Sequence, residues 1–239
     1  MRRAARRCVV SLATDHRRFP EALARLRESL ERHAPGVPVL AWEHGELPPG
    51  SPVHEDVPFA FKPFALAEAR RRGFDTLLWM DAACVAVRSL EPVFDRIESR
   101  GHVLFRNGTR RVGEWAAPHA LAALGVSREE AMEMPELNAA ALGLRSGHPF
   151  LDQWLEEARR GTAFRGDKSE HRHDQSVAGV LAARLRMRPL PRGLVHLRPG
   201  RPVMRRWVRI AIARDLGRDE LSSASRVERV CRLAPLVRF

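Results

Sequence analysis

The apolar run Thr76-Leu77-Leu78-Trp79-Met80, stopped by Asp81, constrains this chain more than any other stretch. A short run apolar at every position reads as a strand buried on both faces, so layers must cover it from two sides. The stretch before it reads as a helix opening with Lys62-Pro63, and proline is tolerated in a first helical turn. A lysine, a crossover helix, a buried strand and an aspartate thus follow one another in a single βαβ unit. Ligands of open α/β sheets sit just outside the carboxyl ends of the strands, so the order suggests a site for a phosphate-bearing ligand, with a metal as a further expectation. The plainer alternative makes Asp81 a turn or cap residue and Lys62 a solvated charge. Composition bears on that choice. Lys62 and Lys168 are the only lysines in an arginine-rich chain, and the compact ammonium is not interchangeable with the planar guanidinium.

The rest of the chain follows the same alternation. Strands are expected at 8–14, 37–42, 75–80, 84–87 and 102–105, with helices at 20–33, 63–72 and 90–99. Residues 46–58 hold four prolines and Gly50 and read as a loop. Strands alternating with helices imply a mostly parallel sheet. After Phe105 the pattern loosens: a turn at Asn107-Gly108, short helical pieces, a strand over 137–144, a helix over 150–159, a polar loop over 161–172 and a helix over 177–185. There is no glycine-rich phosphate loop, which argues against nicotinamide-dependent enzymes and ordinary kinases.

At 239 residues the chain can bury a full core as one α/β domain. No apolar run approaches the length of about 18 residues that a membrane span needs. The basic start Met1–Arg7 leads into an apolar stretch too short for a signal peptide. Cys8, Cys84 and Cys231 have neither pairing nor zinc spacing. Both features point to a cytoplasmic protein in a reducing compartment. The net charge of +12 is uneven, because residues 184–239 carry 15 arginines against 4 acidic residues. The expected division is a near-neutral domain over 1–185 and a basic segment over 186–239. A near-neutral domain is a poor reader of nucleic acid.

A second constellation, His171-Arg172-His173-Asp174-Gln175, opens a helix after the polar loop. Asp174 has an obvious capping role there, yet imidazoles beside a carboxylate also suit metal binding or proton transfer. In order, Phe61-Lys62-Pro63-Phe64, Leu78-Trp79-Met80-Asp81-Ala82, Leu137-Asn138-Ala139-Ala140 and His173-Asp174-Gln175 resemble the motifs of bacterial GT-A-type glycosyltransferases, the nucleotide-diphospho-sugar transferases that build surface polysaccharides. The resemblance covers about residues 8–185. It implies a GT-A-like, Rossmann-type sheet flanked by helices, with the nucleotide at its carboxyl edge. Thr14 would lie by the base or ribose, Lys62 by the diphosphate, and Asn138 near the donor sugar. Asp81 would stand where the family's Asp-x-Asp motif binds a divalent metal, Mn²⁺ or Mg²⁺. Asp174 would be the catalytic carboxylate, with His173 and Gln175 beside it. One departure matters: Ala83 stands at the motif's second carboxylate. Either one Asp and the diphosphate hold the metal, helped by His171 or His173, or Lys62 and arginines replace it, or the chain is an inactive relative.

The resemblance thus implies a nucleotide-sugar donor and a glycan or lipid-linked acceptor. Two other readings stay open: a metal-dependent hydrolase built on His171, His173, Asp174 and Asp81, and a non-catalytic protein associated with membrane or RNA. Residues 203–216 have helical periodicity, with Arg205, Arg206 and Arg209 on one side and Val203, Trp207, Ile210 and Ala211 on the other. Such a helix either packs on the domain or lies on anionic lipid at the inner face of the membrane. Nucleic-acid binding by this segment is the weakest alternative.

Overall fold

The computed structural model describes residues 5–14, 19–190, 195–196 and 209–212. Its centre is a five-stranded sheet of β1 (Arg7–Leu12), β2 (Val39–Trp42), β3 (Thr76–Met80), β5 (His102–Val103) and β8 (Ala141–Arg145), in the order β2-β1-β3-β8-β5. β1 pairs in parallel with β2 and β3, while β8 runs antiparallel to both β3 and β5. Four of the five strands therefore point the same way, and the sheet is mostly parallel as expected.

The side-chain period of two explains why β3 is apolar throughout. Leu77 and Trp79 enter one core with Cys8, Val10, Leu12, Leu142 and Leu144. Leu78 and Met80 enter the opposite core with Val9 and Ala141. The first core lies under α2 (Phe61–Arg71), α7 (Pro149–Arg160) and α8 (His173–Arg184). The second lies under α1 (Phe19–His33) and α3 (Glu91–Arg100). α3 comes so close to β8 that a Cβ on Gly143 would run into Ile97.

β4 (Cys84–Ala86) follows the Asp81 turn, where the Cys84 N–H donates to the Asp81 carbonyl. β6 (Arg106–Arg111) and β7 (Pro135–Leu137) pair antiparallel, with short helices α4 (Val112–Trp115), α5 (Pro118–Ala123) and α6 (Arg128–Glu133) between them in the chain. The expected strand over 137–144 is therefore two strands in different sheets. Asn138-Ala139-Ala140 crosses between them, with the Asn138 N–H bound to the Phe105 carbonyl. The last expected helix begins at His173 rather than Val177.

The helix expected over 203–216 is corrected where the chain is described. Ile210–Ile212 is a strand, β10, antiparallel to β4 and parallel to β9 (Val195–His196). Ile210 is fully buried in the second core, and that burial beside an open β4 edge outweighs helical periodicity. The remainder of 203–216 lies outside the described residues. Among those residues no helix is long and apolar enough to cross a membrane.

Candidate functional site

Three elements converge at the carboxyl edge of the sheet. β3 delivers Asp81, α2 delivers Lys62 from its first turn, and α8 delivers Asp174 from its first turn. The Lys62 Nζ lies 2.9 Å from Asp81 Oδ1 and 2.7 Å from Asp174 Oδ2, and it donates to the Ala139 carbonyl at 2.9 Å. The Asp174 contact is a close, buried ion pair. The Lys62 and Asp174 side chains are 3% and 5% exposed, whereas Asp81 is 22% exposed and faces the opening. Trp79, fully buried beneath, donates its indole N–H to Asp81 Oδ1 at 2.8 Å and fixes that carboxylate.

Burial alone would strip the Lys62 charge, but Asp174 and Asp81 outweigh it and hold the ammonium's pKa above its ordinary value. Burial raises the pKa of the Asp174 carboxyl, against the pull of Lys62. The chain has thus sunk one cation and one carboxylate into its core, with a second carboxylate at the opening, an arrangement that only close mutual contact makes tolerable.

A cavity of about 300 Å³ opens over this triad. Leu12, Thr14 and Phe19 form the end next to β1; Lys62, Asp81 and Asp174 lie on its surface, with His173 and Gln175 beside them. The fold therefore gathers Thr14, Lys62, Asp81, His173, Asp174 and Gln175 around one space. Asn138 is not on that surface. It is buried, accepts from the Ala140 N–H, and leaves its Nδ2 without a partner among the described residues.

The two histidines separate. His171 is fully buried with both ring nitrogens engaged, Nδ1 by the Ala117 N–H and Nε2 on the Ala163 carbonyl. Burial lowers its pKa to about 4. It pins the loop and has no lone pair for a metal, so the hydrolase reading loses one of its ligands. His173 spends only Nδ1, on the Phe164 carbonyl at 2.8 Å, and burial lowers its pKa too. Among the described residues no group of three His, Cys, Asp or Glu could hold a metal ion. Asp81 Oδ1 is already taken by Trp79 and Lys62. The residues present do not fit a divalent cation held by protein alone.

Sequence reasoning passed over His54 and Phe59, which also line the cavity, and gave no role to Arg172, which lines it too. His54 belongs to the proline-rich loop and Phe59 directly follows it. Its return is a Phe59 in the left-handed region, φ 61°, clamped by its own N–H on His54 Nδ1. A loop that long in a compact domain is itself a signal of function.

No protein-family model matches the chain, and no curated protein matches its sequence. Solved structures do match. Mouse xyloside xylosyltransferase 1 in its apo form superposes with a TM-score of 0.51 at 10% identity, over 87% of this chain and 98% of that one. A glycosyltransferase involved in glycosylating the major capsid of PBCV-1 superposes with a TM-score of 0.53 at 13% identity, over 93% and 99%. At such identities the likeness is one of fold, and the fold is the GT-A-like α/β architecture of glycosyltransferases.

Proposed function

We propose that this protein is a glycosyltransferase that moves a sugar from a nucleotide-diphosphate sugar to a hydroxyl of a glycan or lipid-linked acceptor. The observation that carries the reading is the Lys62–Asp81–Asp174 triad beneath a cavity at the carboxyl edge of this fold. The nucleoside would lie along Leu12, Thr14 and Phe19. The diphosphate would face Lys168 and Arg172, the two cations of the polar loop that reach the same cavity. The departing diphosphate gains charge as the bond to the anomeric carbon breaks, and fixed cations aimed at that charge lower the barrier. Because no group of three protein ligands is at hand among the described residues to hold a cation alone, Lys168 and Arg172, with Lys62 behind them, are assigned that neutralisation. Asn138 would stand behind the donor sugar.

As the acceptor oxygen bonds to the anomeric carbon, its proton must leave. For transfer with inversion, Asp174 is the candidate base, since burial raises its proton affinity. His173, kept neutral by burial, stands next to it. A polysaccharide acceptor, work at the inner face of the membrane, and lipid contact through 203–216 are carried by the resemblance and by the charge of the basic segment.

A thermal-shift panel tests the reading. UDP, GDP or their sugar conjugates should raise the melting temperature, with or without Mn²⁺. Stabilisation by Zn²⁺ alone, with no response to any nucleotide, would overturn it in favour of metal-dependent hydrolysis.

A further inference from the structure

Glu136 and Asn107 take no part in the scheme above, yet they reach the cavity through Gln175. Glu136 on β7 is fully buried, and Asn107 on β6 donates from Nδ2 to Glu136 Oε2 at 2.6 Å. The same Nδ2 lies 3.5 Å from Gln175 Oε1. A carboxylate only accepts, so Asn107 must turn its NH₂ toward Glu136. That NH₂ in turn draws the Gln175 oxygen inward. Gln175 lines the cavity, and its own NH₂ is the half of the amide left for a ligand.

The arrangement survives a change of protonation. Glu136 Oε1 has no hydrogen-bond partner among the described residues, so an added proton would sit there and leave Oε2 accepting from Asn107. The charged groups acting on Glu136 are Arg110 of β6, Arg172 at the start of α8 and Glu114 of α4. Neither arginine is in an ion pair with Glu136, since both guanidinium groups lie over the Trp115 ring instead, at 4.9 and 4.5 Å. A fully buried carboxyl with one oxygen idle is costly to keep, and the one hydrogen bond that it makes among the described residues orients Asn107.

We propose that Asn107, anchored on Glu136, is a positioning residue that holds the Gln175 amide with its NH₂ toward the cavity, so that the site donates a hydrogen bond to a sugar oxygen there. The assignment rests on the transferase reading. The oxygen belongs either to the donor sugar or to the acceptor, and the assay separates the two. A loss of donor hydrolysis without acceptor marks the donor sugar, and a loss confined to transfer marks the acceptor.

The test uses the full chain and two variants. Asn107→Asp places a second acceptor against Glu136 and Gln175; it should lower the melting temperature and reduce kcat about tenfold while leaving nucleoside-diphosphate affinity unchanged. Adding Glu136→Gln supplies an amide that donates to the new carboxylate, so the melting temperature should recover. Gln175 must then turn its NH₂ inward and present its oxygen to the cavity, so kcat should stay low. Recovery of kcat together with stability would reduce the cluster to a structural role and overturn the proposal. If Asn107→Asp does not fold, Gln175→Glu keeps the contact to Asn107 but lacks an NH₂, and an unchanged kcat there would overturn it equally. Wild-type protein that neither binds nor turns over any nucleotide sugar would sink the transferase reading first, and this assignment with it.

Discussion

Lys62 shows how one side chain couples folding to the site. Among the described residues its ammonium is the cation in ion-pair contact with the buried Asp174 carboxylate. Lys62→Met should therefore cost about 3–5 kcal/mol in urea unfolding, the penalty for orphaning a buried charge. Adding Asp174→Asn should return part of that loss, because the neutral amide has less to desolvate. Additive losses would mean that the two side chains do not depend on each other. Asp81 behaves differently because it is partly exposed. Asp81→Asn keeps an oxygen for the Trp79 indole and should change stability by no more than about 1 kcal/mol, while nucleotide-sugar turnover falls more than about tenfold. Wild-type turnover would remove Asp81 from the site. Lys62, Asp81 and Asp174 were legible in the sequence because each sits at the end of a strongly patterned element. Asn107 and Glu136 were not, since they lie where the alternation breaks down and meet only through the pairing of β6 with β7.

The polar loop between α7 and α8 is ordered from within. A short 3-10 turn at Thr162–Phe164 offers two carbonyls, those of Ala163 and Phe164, to His171 and His173. His173 takes a positive φ of 33° as the helix opens, and this turn swings Asp174 onto Lys62. Sequence patterning placed the start of α8 at Val177 because His173–Ser176 are polar. Their burial is tertiary, and periodicity does not register it. The His171 pKa of about 4 lies below the ordinary value of 6.5, so the neutral form is favoured in the folded state. Its contribution is complete above pH 6.5 and is lost as the pH falls from there toward 4, up to about 3 kcal/mol in all. Stability should fall across that window. A variant His171→Gln, which presents no titrating ring, should show a flatter profile between pH 6.5 and 4. An identical slope in both proteins would assign the acid loss to other groups.

Among the described residues the central five-stranded sheet lies between two cores, and β4 is extended by strands distant in sequence. The alternation of strands and helices made the α/β sheet legible up to Phe105. The strand at residues 210–212 that pairs with β4 was not, because an Arg-rich stretch with helical spacing masks a short strand that exists only by pairing. The basic segment also concentrates the chain's charge. If it contacts anionic lipid, vesicle binding should weaken steeply with salt and vanish when the chain is cut after Leu190. That truncation also removes β10, so a single-residue change must separate lipid contact from folding. Ile210 provides it, being fully buried against the second core while its strand closes the β4 edge. Ile210→Ala should cost about 2–4 kcal/mol by the deletion of buried methyl groups. β4 begins at Cys84, whose N–H is bonded to the Asp81 carbonyl, so a loosened β4 should also slacken the turn that aims Asp81. The expected result is a lower melting temperature, a nucleotide-induced stabilisation that is reduced but present, and vesicle binding equal to that of the wild type. Unchanged stability would show that β10 is a passive cover on β4. A loss of vesicle binding with full stability would move the lipid contact onto Ile210 itself.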